Sequence, residues 1–125
     1  MEPEFSKREK QIARDLMDRG IQEDIKKGLM EFDDILQQWK NEAGHNGDCF
    51  YTLHDAVRNF KKDIAWKYDY RPGSRYMSII IYQLSHELYQ PSELDGFRPE
   101  IKEYILSKAK ERKEDNVVQG LNPNF

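Results

Sequence analysis

The residue types best able to do chemistry in this chain gather in one stretch, His45, Asp48, Cys49 and His54. Imidazole, thiolate and carboxylate are the donors that hold a transition metal, so a ligand-rich loop leading into a helix is one reading of the group. The spacing is that of no zinc signature, because neither a C-x-x-C nor an H-x-x-x-H pair is present. A second reading pairs Cys49 with His54 as nucleophile and base, Cys49 standing just ahead of an expected helix N-terminus. The plainer reading makes Cys49 a small packing residue beside Phe50 and Tyr51. Ser85-His86-Glu87 fits no hydrolase signature. Gly44 and Gly47 are not followed by the Lys-Ser or Lys-Thr of a phosphate loop. Asp33-Asp34 lacks the second carboxylate cluster of a glycosidase. No catalytic residue, cofactor or metal ligand is assigned on these grounds, and a small metal- or cysteine-dependent enzyme ranks behind the binding functions below.

A different pattern stands out, the run Trp66-Lys-Tyr-Asp-Tyr-Arg-Pro-Gly-Ser-Arg-Tyr76. Aromatic and guanidinium groups supply large contact area and cation–π capacity with few torsions to freeze, which enriches them in binding hot spots. With the cations upstream, the candidate patch is Arg58, Lys61, Lys62, Trp66, Lys67, Tyr70, Arg71, Arg75 and Tyr76. The same mixture suits base stacking and phosphate neutralisation on a single strand. Of the sections 1–44, 45–76 and 77–125, the middle one alone is net positive, at +2 within a total of −3. A net charge this close to neutral is not the strongly basic footprint of a general nucleic-acid binder.

Composition bounds what can position these groups. In 125 residues, 38% are hydrophobic and 34% charged, so the core is light but the net charge is too small for a disordered chain. One helical domain over residues 1–125 is expected, with loose termini at 1–5 and 115–125. The lone Cys49 excludes an internal disulfide. The N-terminus lacks a signal-type apolar region, and Met77–Leu84 is far short of a membrane span. A cytoplasmic protein with no membrane partner is expected.

The periodicity is helical throughout. Ser6 and Glu9 are spaced as a capping box, followed by a stripe of Ile12, Ala13, Leu16 and Met17. A second stripe, Ile21, Ile25, Leu29, Phe32, Leu36 and Trp39, is centred about 130° away on a helical wheel. Either one long helix meets different partners along its length or the chain bends; a kink or break near Gly20 is expected, because glycine weakens a helix interior. Residues 41–48 read as a loop, and Thr52 opens a helix whose inward face is Leu53, Ala56, Val57, Phe60, Ile64 and Tyr68. A third helix after Ser74 buries Met77, Ile80, Ile81, Leu84 and Leu88. A last one begins at Pro99 and turns Ile101, Tyr104, Ile105 and Ala109 inward. The fold class is all-α, a single-domain bundle of about four to five helices.

Phe5-Ser6-Lys7-Arg8-Glu9-Lys10, Leu53-His54-Asp55-Ala56 and Ile64-Ala65-Trp66-Lys67-Tyr68 together resemble a family of small helical bacterial proteins of unknown function, over residues 5–105. The resemblance implies helices and a bacterial cytosol and supplies no activity. What remains is a non-enzymatic protein acting through protein–protein interaction, as adaptor, regulator or neutralising partner. The alternative is a nucleic-acid-associated protein using residues 58–76. The stripe Ile25, Leu29, Phe32, Leu36 and Trp39 must be covered by the chain's own later helices or by a second copy, and a twofold homodimer is expected.

Overall fold

A computed structural model describes residues 1–42 and 44–120, with side chains through Asp115. The architecture is all-helical, with α1 (Lys7–Glu42), α2 (Asn46–Tyr68), α3 (Tyr76–Ser85) and α4 (Pro99–Gly120). Short 3-10 turns at Gly73–Arg75 and Pro91–Leu94 precede α3 and α4. No strand occurs among the described residues, so the β-branched run Ile79-Ile80-Ile81 is helical. No helix is long and apolar enough to cross a membrane.

The backbone forms two compact units, Met1–Gly20 with Arg71–Phe125, and Ile21–Tyr70. Their boundary falls at Gly20, where a kink or break was expected; α1 is not broken there and continues through it as helix. The two apolar stripes of α1 therefore serve different units, which accounts for their angular offset without an interruption.

In the first unit, the expected capping box forms. Ser6 N–H donates to Glu9 Oε1 at 3.0 Å, and Glu9 N–H donates to Ser6 Oγ at 3.1 Å. Ala13, Leu16 and Met17 are buried, together with Met77, Ile80, Leu84, Ile101, Ile105 and Ala109. A fully buried side chain of the Leu, Ile or Met type contributes about 1.5–3 kcal/mol, so this is where the light core is concentrated. Helix α3 is the most enclosed element, with seven of its ten residues buried. It ends at Ser85, and His86 and Glu87 form its terminus instead of lying within it. Leu88 N–H donates to Gln83 O, and Glu87 N–H to Leu84 O. That pair of bonds is a Schellman motif, which places Glu87 at the left-handed position with φ 58°.

The expected loose termini are revised in part. Phe5 packs on Phe97 with ring centroids 5.4 Å apart, and the Arg98 guanidinium donates to Glu4 O. Helix α4 continues past Asp115 to Gly120; residues 121–125 lie outside the described residues.

The second unit is a hairpin of Ile21–Glu42 and α2. Helix α2 starts at Asn46, six residues before the expected Thr52, because the His45 ring caps it by accepting from Asp48 N–H. Gly28 lies under the Phe60 ring, and Phe32 meets that ring edge-on at 5.6 Å between centroids. A Cβ at position 28 would come within 2.6 Å of three ring carbons, so glycine is what lets the aromatic side chain reach the α1 backbone.

Candidate functional site

The hairpin has few ways to bury what it carries. Among the described residues its only buried large apolar side chain is Tyr68, whereas eight of the nine exposed large hydrophobic side chains belong to it. Two helices give each other one contact line, and a helix apolar over more than about 100° leaves the remainder in water.

Helix α2 sorts its side chains by the 3.6-residue period. Ala56, Phe60 and Lys67 lie toward α1 and are half-buried. On the opposite side Tyr51, Asp55, Arg58, Lys62 and Trp66 follow one another at spacings of four, three, four and four. All five are exposed, Trp66 at 84%. Lys61 is exposed a little around the helix, and Tyr70 is 71% exposed just beyond its end.

The rest of the expected patch is engaged elsewhere. Lys67 Nζ sits 2.7 Å from Asp63 and 3.4 Å from Asp24, and Tyr68 donates its hydroxyl to Asp24 at 2.6 Å. Asp24 is 7% exposed; the two donors satisfy a carboxylate that would be costly to bury alone. Tyr76 is buried, so it is not a contact residue, and the Arg14 guanidinium reaches its hydroxyl at 3.5 Å. Arg71 pairs with Asp18 at 3.0 Å, and Arg75 is half-buried. Arg71, Arg75 and Tyr76 belong to the first unit and the other candidates to the hairpin. What the structure brings together on one helix face is thus Arg58, Lys62 and Trp66, joined by Tyr51. Sequence reasoning passed over Tyr51 because it lay outside the expected helix, although its place four and seven residues ahead of Asp55 and Arg58 was legible once α2 began at Asn46.

The self-association candidates divide too. Ile25, Phe32 and Leu36 are half-buried and Leu29 is 60% exposed. Trp39 is 37% exposed, and its indole N–H donates to Asn46 Oδ1 at 2.9 Å across the hairpin turn.

The metal and nucleophile readings meet a geometric obstacle. His45 and His54 are nine residues apart on one helix, about 13 Å along its axis, against roughly 2 Å from each ring nitrogen to a shared ion. Cys49 and His54 project about 140° apart around that helix, which excludes an acid–base contact. No group of three His, Cys, Asp or Glu residues is placed to hold a metal ion among the described residues. Cys49 instead lines a groove of about 290 Å³ with Ile35, Gln38 and Thr52.

The first unit has a larger concavity, about 510 Å³, lined by Leu84, Tyr89, Leu106, Lys110 and Lys113 among others. Lys113 is paired with Glu87. Tyr89 donates its hydroxyl to Gln83 Oε1 at 3.0 Å and lies 3.2 Å from Ile80 O. Burial pushes this phenol well above its ordinary value, with the Arg19 charge only partly opposing it. It remains a neutral structural donor and is unsuited to act as a base at neutral pH.

Compared with known proteins, the chain matches no protein family, no curated protein and no solved structure.

Proposed function

We propose that this chain is a non-enzymatic, cytoplasmic helical protein that works by binding another protein, with the Ile21–Tyr70 hairpin as its recognition element. The observation behind this is the distribution of exposed apolar side chains, eight of the nine among the described residues on the hairpin, while the other unit encloses its core. Contiguous apolar and aromatic surface of this kind marks interaction sites on soluble proteins. The outer face of α2 supplies Tyr51 and Trp66 as rigid anchors, with Arg58 and Lys62 between them. A partner surface with an apolar groove flanked by carboxylates fits that face.

The test is partner capture with a photoreactive amino acid at position 62, in the parent chain and in Arg58→Glu/Trp66→Ala. The parent should cross-link to one discrete protein species, and the variant should lose it while keeping its helical far-UV spectrum. Retention by the variant would remove this face from the proposal. A fluorescent single-stranded oligonucleotide supplies the contrast. Tight binding that falls steeply with salt and is lost in the same variant would make the chain a nucleic-acid-associated protein instead.

A further inference from the structure

We propose that the remaining apolar face of the hairpin is covered by a second copy of this chain, the two hairpins forming an antiparallel four-helix bundle in which α1 lies against the partner's α2.

The angular arrangement of the hairpin argues for this. On α1, the line turned toward α2 runs through Asp24, Gly28 and Ile35; Asp24 and Gly28 are its buried members. Ile25, Leu29, Phe32 and Leu36 are centred roughly 90° around the helix from that line. On α2, Phe50, Leu53, Val57 and Ile64 are displaced by roughly 70° from the line through Ala56, Phe60 and Lys67. In an antiparallel pair of right-handed helices, an advance in the same angular sense on each helix falls on the same side of the hairpin. The opposite side is identified independently, since Gln38 and Thr52, each about 60° to the other side of its helix's contact line, line one groove. Both apolar flanks therefore share one face. A helix with two contact lines about a right angle apart is the component of a four-helix bundle, where each helix packs on two neighbours.

Area identifies the occupant. Phe50 is 63% exposed, Leu29 60% and Val57 43%. For aromatic side chains of roughly 150–250 Å² and somewhat smaller aliphatic ones, these three leave about 300 Å² of apolar surface per copy. The half-buried Ile25, Phe32, Leu36 and Leu53 add their remainder. A stable interface takes about 800 Å² from each partner, rather more than half of it apolar, so two copies face to face supply what a dimer needs. Twofold symmetry presents the same face to itself. Charge sets the pairing: α2 laid on its own copy would bring Lys61 toward its counterpart, whereas α1 carries Asp33 on the corresponding flank.

The proposal shares with the proposed function only the premise that the hairpin is the interaction element. Trp66 and Lys62 remain on the outside of the bundle, so partner capture there and self-association here succeed or fail separately. Sedimentation equilibrium of the full chain at micromolar concentration should give a 30 kDa species, twice the 15.0 kDa chain mass. Leu29→Glu with Val57→Glu should weaken self-association by at least about 100-fold with an unchanged helical spectrum, since both side chains are exposed on the single chain. In a Cys49→Ser background, Leu29→Cys protein mixed with Val57→Cys protein should form the mixed disulfide, while Met30→Cys with Trp66→Cys should not. A 15 kDa species at tens of micromolar, a dimer indifferent to the two glutamates, or absence of the mixed disulfide would each overturn the proposal.

Discussion

Gly20 and Gln83 occupy one space. The Gln83 side chain is fully buried, and its Nε2 donates to Met17 O at 3.1 Å while its Oε1 accepts from Tyr89 at 3.0 Å. A Cβ on residue 20 would lie 2.5 Å from both of these terminal atoms. The glycine in the interior of α1 is therefore a seat for an amide that is held at both ends and cannot swing aside. Gly20→Ala gains about 1 kcal/mol of helix propensity, against about 1–3 kcal/mol for overpacking and about 1 kcal/mol for a displaced hydrogen bond. We expect a net loss of about 1–2 kcal/mol in urea denaturation. A more stable variant would show that Gln83 is free to relocate.

Glu87 holds φ at 58° to end α3. The left-handed region costs a residue with a Cβ roughly 1–2 kcal/mol, and glycine is relieved of it. The exposed ion pair with Lys113 offsets at most about 1 kcal/mol. Glu87→Gly should stabilise the protein by about 0.5–1 kcal/mol, measured as a higher denaturant midpoint at unchanged m value. A lower midpoint would assign Glu87 a larger role in joining α3 to α4.

Acid should act through Glu9. Burial alone would raise its carboxyl, but the Arg98 and Ser6 backbone N–H groups, the Ser6 hydroxyl and the Arg98 charge together hold it below the ordinary 4.5. A carboxyl depressed in the folded state binds fewer protons there than in the unfolded chain. The stability it contributes is complete above about pH 5 and is lost as pH falls from its ordinary value through the depressed one. Glu9→Gln should be less stable at neutral pH and should flatten the decline between about pH 5 and pH 2. An equal acid slope in parent and variant would place the sensitivity elsewhere.

Asp24 is the polar keystone of the hairpin. Asp24→Ala leaves the Tyr68 hydroxyl and the Lys67 ammonium without their shared acceptor, although Asp63 still holds Lys67. We expect a cost of about 2–4 kcal/mol, read as faster amide exchange in α2. Asp24→Asn, which keeps an acceptor for Tyr68, should lose less than half as much. Equal losses would show that charge, and not the hydrogen bond, carries the effect.

The sequence by itself determined the helices and most of their punctuation. The Ser6/Glu9 cap, Pro72-Gly73 after α2 and Pro99 at the head of α4 act through neighbours a few residues away, and periodicity identified the core residues Leu16, Ile80, Ile101 and Ile105 for the same local reason. Tertiary structure decided what depends on residues far apart in the chain. Gly20 reads as a weak point because its tolerance comes from Gln83, sixty-three residues away. Asp24 stands out in no sequence pattern because its partners, Lys67 and Tyr68, are on another helix. Tyr76 reads as a contact residue because only the packed core hides it. Trp66, Arg58 and Lys62 keep their expected exposure, yet which residues join them on one face was set by where α2 begins, a boundary decided by a histidine cap with no strong preference of its own.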